Sequence, residues 1–310
     1  MTSLLGRRAF LACASALAAA SAFPAPAAPQ GRARPGRIET LDSLGSADLP
    51  QTRVRVWLPT GYPDGAGRYR TLYMLDGQYA FSGDLDGVNF AADRRLASLA
   101  SAGRIQPTLI VAIDSPEDPV DRFRHYMPQP IYDQSTGELR AAIERAGGGR
   151  PLMSAPFIRY LTTRLKPYID ARHRTLAGPL DTAILGASMA GPMAAALFVE
   201  SQQAFGRAAC MSPNWPIYDA RFIEHAHLLS LWPGYFARLG APAGRRLWLD
   251  HGTLMLDAGM APHQIGIVRR LERLGWRRGR DLEARVHQGA GHAFAQTAVQ
   301  MDGLLAWLLA

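Results

Sequence analysis

Six short apolar runs, each closed by a turn residue or a carboxylate, recur along the chain: RTLYMLDG (70–77), PTLIVAID (107–114), DTAILG (181–186), GRAACMSP (206–213), RRLWLDHG (245–252) and LEARVHQG (282–289). An unbroken apolar run of this length suits a strand buried on both faces, whereas a strand with one wet face alternates. Stretches of helical length lie between them, near 88–102, 155–169, 190–201, 262–274 and 296–309. Strands alternating with helices predict an α/β fold with a mostly parallel central sheet and helices on both faces. TRVRVWLP (52–59) alternates instead and is expected to be half-buried. With 310 residues, 48% hydrophobic and 19% charged, the chain can bury one large core, so a single domain over 39–310 is expected. Two segments break the rhythm, near 128–153 and 214–244, and are expected to form cap-like insertions.

The first 28 residues read as an export signal: paired Arg7 and Arg8, an apolar run too short to span a bilayer, and Ala-rich cleavage candidates. The GRRAFL context has the twin-arginine form, so a periplasmic or secreted location is expected, with no stable membrane insertion after signal removal. Residues 29–38, rich in Pro, Gly and Arg, suit a flexible lead-in. Loss of the signal would take Cys13 with it and leave Cys210 alone, excluding an internal disulfide in the mature chain. The net charge of +8 comes almost wholly from arginine without a long basic run, which argues against a nucleic-acid partner.

Chemistry concentrates in ILGASMAGP (184–192), where a small hydroxyl sits among small residues between a buried run and a helical stretch. A sharp strand-to-helix turn there would lift Ser188 above the sheet, and only small neighbours such as Gly186 and Gly191 permit it. The helix start offers N–H groups to a developing oxyanion, with Met189 the first donor. A nucleophilic serine also needs a base, an orienting acid and a second donor. His292, in VHQGAGHAF, lies on a Gly-rich loop after the final strand. LWLDHGTLMLDAG offers two acids: Asp250, ending its strand and placed to brace the following HGT turn, and Asp257, farther along the loop toward His292. The loop LDGQYAF supplies the second donor, the Gln78 N–H beside Gly77, while Asp76 would bind substrate or fix that loop.

Together RVRVWLPTGY, YRTLYMLDGQYAF, RFRHYMP, FIRYLTTRLKPYID, ILGASMAGPMAA, MSPNWP, LDHGTLMLDAGMAPHQ and GAGHAF resemble the Putative esterase family of α/β-hydrolases, from about Arg53 onward. That family includes siderophore, feruloyl and acetyl-xylan esterases, S-formylglutathione hydrolases and secreted mycolyltransferases. The resemblance implies the α/β-hydrolase fold, a Ser188, Asp257 and His292 triad, and an oxyanion hole from the Gln78 and Met189 backbones. Ala190 stands where relatives usually carry Gly, and Ala293 and Phe294 where they often carry polar residues.

The expected activity is that of an exported serine esterase acting through an acyl-enzyme on a small-molecule, glycan or siderophore ester. Acyl transfer to a sugar or alcohol is the alternative, and a non-catalytic binding scaffold a more distant one. No cofactor is called for. Arg122, Arg124 and Tyr126 are candidates to line the pocket, and Trp215, with Trp232 and Tyr235, to form an aromatic substrate platform. His225 and His227 lack an evident third ligand, so no metal site is expected.

Overall fold

Among the described residues eight strands form one sheet: β1 (Arg37–Leu41), β2 (Val54–Leu58), β3 (Arg70–Leu75), β4 (Thr108–Ile113), β5 (Thr182–Ala187), β6 (Arg207–Met211), β7 (Arg246–Gly252) and β8 (Leu282–His287). They hydrogen-bond in the order β1-β2-β4-β3-β5-β6-β7-β8. β2 is antiparallel to both β1 and β4, and the other pairings are parallel. The computed structural model describes residues 36–41, 49, 52–63, 67–217 and 219–310, all within one unit, Ala33–Ala310. The expected export signal, with Arg7, Arg8 and Cys13, lies outside the described residues.

The apolar runs of β3, β4, β5, β6 and β7 became buried strands because helices flank and cover them. These are α1 (Ala92–Ser101), α2 (Pro119–Tyr126), α3 (Gln129–Gln134), α4 (Gly137–Ala146), the continuous α5 (Ser154–Tyr160, a π turn Leu161–Leu165, then Lys166–Arg172), α6 (Ala190–Glu200), α7 (Ala226–Phe236), α8 (Ala261–Arg273), α9 (Phe294–Ala298) and α10 (Met301–Leu308). The π turn sits just ahead of Pro167, which cannot donate a helical hydrogen bond. One core layer packs α2, α5, α6, α7 and α8 on one sheet face, through Phe157, Leu165, Phe198, Trp232 and Ile267. The other packs α1 and α10 on the opposite face, through Leu96, Trp248, Leu304 and Leu308. Each such side chain taken out of water contributes about 1.5–3 kcal/mol.

Three strands differ from expectation. β2 is buried throughout, because the polar side chain on its alternating pattern, Arg55, is itself covered and paired with acids. β8 is partly exposed because it forms the edge of the sheet. β1 lies partly in the expected lead-in: its Arg37–Leu41 backbone pairs with β2 although its side chains are mostly exposed, a strand held by its ladder rather than by apolar burial.

The chain runs from β3 to β4 in one direction along the sheet and from β5 to β6 in the other. The order therefore reverses between β3 and β5, and the carboxyl ends at such a reversal are where open α/β sheets bind ligands.

Candidate active site

Ser188 follows β5 and precedes α6, with φ of 56°. This left-handed conformation costs a non-glycine residue about 1–3 kcal/mol, and the surroundings enforce it. The Ser188 N–H donates to Met211 O at 2.9 Å, and its carbonyl accepts from Gly191 N and Asn214 N at 3.0 Å each. A Cβ on Gly186 would lie 2.1 Å from the Ala190 carbonyl oxygen, and one on Gly191 would lie 2.6 Å from Pro213 Cβ. The glycines of the motif are there because the turn brings backbone within contact of backbone.

His292 arrives from the loop between β8 and α9. Its Nε2 lies 2.7 Å from Ser188 Oγ, and its Nδ1 lies 2.5 Å from Asp257 Oδ1. A carboxylate only accepts, so Nδ1 carries the proton and Nε2 presents its lone pair to the serine hydroxyl. The three side chains expected from chain order therefore form one hydrogen-bonded line. Asp257 is 1% exposed, and its other oxygen, Oδ2, accepts from Ser212 Oγ and Gly252 N, both at 2.7 Å. Burial pushes the Asp257 carboxyl up, but the hydrogen bond and charge of His292, then Ser212 Oγ and Gly252 N–H, outweigh it and hold the group below its usual value.

Asp250 does not reach His292, and it does not brace the HGT turn. It is fully buried, with Oδ1 accepting from Ser212 N at 2.8 Å and Oδ2 from Trp248 Nε1 at 2.7 Å. The two candidate acids thus belong to one relay: Asp250 holds the backbone of Ser212, whose hydroxyl holds Asp257. Ser212, with φ of 39°, is the residue that sequence reasoning passed over. Its only trace was the MSPNWP segment closing β6, where a serine after a buried strand has many ordinary explanations.

Met189 stands at the head of α6, and Gln78 lies in a 3-10 turn, Gly77–Tyr79, at the end of β3. N–H groups at the first positions of a helical turn have no acceptor within it. The Gln78 side chain is engaged elsewhere, its amide exchanging hydrogen bonds with Ser115 Oγ and N at 2.8 and 3.0 Å, so only its backbone is offered. Asp76, at φ of 53°, accepts a two-pronged bond from Arg122 at 2.8 and 2.6 Å, and its N–H donates to Tyr126 Oη at 3.1 Å. Asp76 thus ties Arg122 and Tyr126 to the turn, with the guanidinium 5.4 Å from the Tyr126 ring centre. Burial and the neighbouring Asp76 push the Tyr126 phenol well above its usual pKa, although Arg122 pulls the other way.

A cavity of about 10 Å³ opens beside Met189 and Asn214, walled by Phe123, Tyr126, Met127, Ile217 and Trp232. Trp215 is not part of it: it is fully buried, its ring 4.8 Å from that of Trp232 and 5.9 Å from that of Phe236, and so fills the core beneath α7 instead of forming a platform. Tyr235 is buried likewise, and Arg124 is bonded to Pro151 O and Asp121. His225 accepts from Leu228 N at the start of α7, and His227 meets the Gln134 carbonyl. Among the described residues no three His, Cys, Asp or Glu side chains are grouped to hold a metal ion.

The family model described as "Putative esterase" matches residues 49–264, more than half of the chain. The chain belongs to the Putative esterase family. This esterase has the α/β-hydrolase fold and is a carboxylic ester hydrolase. It is 22% identical to the uncharacterized protein YbbA of Bacillus subtilis (strain 168) over 206 residues, 66% of this chain and 73% of that one. In fold it is similar to ferric enterobactin esterase from Salmonella typhimurium (TM-score 0.62, 17% identity, 90% of this chain and 60% of that one). It is also similar to an IroE-like serine hydrolase from Shewanella oneidensis (TM-score 0.58, 18% identity, 86% and 78%). Within the described part of the esterase no helix is long and apolar enough to cross a membrane.

Proposed function

We propose that this esterase is an exported serine hydrolase that cleaves carboxylic esters through an acyl-enzyme. The observation that carries the reading is the line Ser188 Oγ, His292 and Asp257, with contacts of 2.7 and 2.5 Å. Ser188 Oγ attacks the ester carbonyl carbon as its proton passes to His292 Nε2. The carbonyl oxygen, now an oxyanion, accepts from the Gln78 and Met189 N–H groups. The tetrahedral adduct breaks its bond to the alcohol oxygen, which takes the proton from His292 and leaves. Water then adds to the acyl-enzyme, giving its proton to His292, and collapse frees the carboxylic acid and restores Ser188. Asp257 orients the imidazole and stabilises its charged form in both halves.

The cavity beside Met189 suits the acyl side. Its walls belong to the core layer of α2, α6 and α7, while Phe294, just past His292, packs on the opposite sheet layer. The alcohol must leave toward His292, so the acyl group is directed the other way. Export rests on the GRRAFL context at the N-terminus.

Labelling with a fluorophosphonate followed by peptide mapping tests the nucleophile, and a p-nitrophenyl ester series tests the pocket. Adduct on Ser188 is expected, and the chain length at which kcat/KM peaks reads the depth of the acyl pocket. Failure of Ser188 to label, in protein that is folded, would remove the serine reading.

A further inference from the structure

Arg55, on β2, has no part in the proton transfers, yet it grips the turn that carries the Gln78 donor. It is 8% exposed, and its Nη2 donates to the Gly77 carbonyl oxygen at 2.7 Å. The same guanidinium forks onto Asp84, at 2.6 and 3.1 Å, lies 3.5 Å from Asp114 Oδ1 and sits 4.9 Å over the Phe81 ring. Asp84 in turn accepts from Phe81 N at 2.8 Å, so the segment from Gly77 to Asp84 closes around this one side chain.

The Gly77 carbonyl and the Gln78 N–H are two ends of one peptide unit. In a trans peptide they point in opposite directions, so holding the oxygen fixes where the N–H aims. A charged donor on the oxygen also draws electron density from the amide and strengthens the hydrogen bond that the N–H can give. The same oxygen accepts from Ala80 N at 2.9 Å within the 3-10 turn, so Arg55 adds a charged donor to the one that the backbone supplies. Arg122 cannot substitute for this grip: its bonds go to the Asp76 side chain, one residue earlier.

We infer that Arg55 is a positioning residue for the oxyanion hole, aiming and polarising the Gln78 N–H through the Gly77 carbonyl. This rests on the proposed reading in which that N–H receives the oxyanion. A lysine at this position has no fork with which to hold Asp84 and Gly77 together.

The test compares wild type with Arg55→Lys and with the charge-balanced Arg55→Met/Asp84→Asn, which avoids leaving Asp84 buried without its partner. Melting temperature, active-site titre by fluorophosphonate, steady-state kinetics on p-nitrophenyl acetate and the Ki of a methyl trifluoromethyl ketone are measured for each. The ketone adds Ser188 and forms an oxyanion, so it reports on the hole directly. Per titrated site, kcat is expected to fall about tenfold to a hundredfold with KM changed less than about twofold, and the ketone Ki to rise in proportion. Wild-type kcat per titrated site, or a loss of activity explained by melting temperature and titre alone, would overturn the role of Arg55. Absence of Ser188 labelling in wild type would instead overturn the serine reading on which it rests.

Discussion

The two ends of the parallel strands are built for different tasks. At the carboxyl ends, non-glycine residues are forced to positive φ one after another: Asp76 after β3, Ser188 after β5, Ser212 after β6 and Met255 after β7. At the amino ends of β3, β6 and β7 only Ala243, ahead of β7, is such a residue among those described, and three arginines reach for the carbonyls that end α10. Arg70 bonds Leu309 O, Arg207 bonds Leu308 O and, at 3.0 Å, Ala310 O, and Arg246 bonds Trp307 O at 2.6 Å. Cations at a helix C-terminus face its negative pole and satisfy carbonyls that have no partner in the helix. One end of the sheet holds strained backbone where side chains must be aimed. The other gathers hydrogen bonds where the fold must be closed.

If that division is right, substitutions at the carboxyl ends should change turnover with little change in melting, and those at the amino ends the reverse. Ser188→Ala is expected to lower kcat/KM on p-nitrophenyl acetate by at least about a thousandfold at an unchanged melting temperature. Asp257→Asn should cost about a hundredfold to a thousandfold in kcat, because an amide no longer fixes the His292 tautomer; rapid kinetics at pH 7 and 8 would show whether the loss persists at both. Arg207→Met should leave kcat within about twofold while lowering unfolding free energy by about 1–3 kcal/mol in urea titrations, for the loss of bonds to buried carbonyls.

Asp250→Asn sharpens the comparison, since Asp250 lies near the site but acts on it through Ser212. Stability is expected to fall by about 1–3 kcal/mol in the same titrations, and kcat by less than about tenfold. A loss of turnover as large as that of Asp257→Asn would make the two acids equal partners of His292.

The smallest effect is set by His263, in the first turn of α8. It is fully buried, with Nε2 3.1 Å from the Phe222 carbonyl, and burial lowers its pKa to about 4 despite that bond. The unfolded chain binds a proton near pH 6.5 and the folded one only near 4, so between these values the unfolded state holds more protons. Stability therefore falls on acidification through that window, by at most about 1.4 kcal/mol per pH unit from this group. His263→Gln, which keeps a donor for Phe222 O, should flatten the dependence in melts at pH 4.5, 5.5 and 6.5.

The apolar runs of β3, β4, β5, β6 and β7 were legible in the sequence because burial on both faces demands unbroken apolar residues, and that pattern is local. The turn at Ser188 was legible in part for the same reason: Gly186 answers a contact with Ala190, four residues on, whereas Gly191 answers Pro213 from the loop after β6. Chain order and loop position led to His292 and favoured Asp257 over Asp250. β1 was not legible, since a strand held by backbone pairing needs no apolar signature. Nor was the burial of Trp215, because an aromatic residue in an excursion reads alike whether it covers a ligand or the core. Ser212, Asp250 and Arg55 act through partners far away in the chain, and Arg55 looked like the wet side of an alternating strand until Asp84 and Asp114 closed over it. Periodicity and turn chemistry are properties of neighbours along the chain and so determined the strands and the elbow. The relay to Asp257 and the grip on Gly77 depend on which distant side chains the sheet order brings within hydrogen-bond reach, and only the tertiary structure decides that.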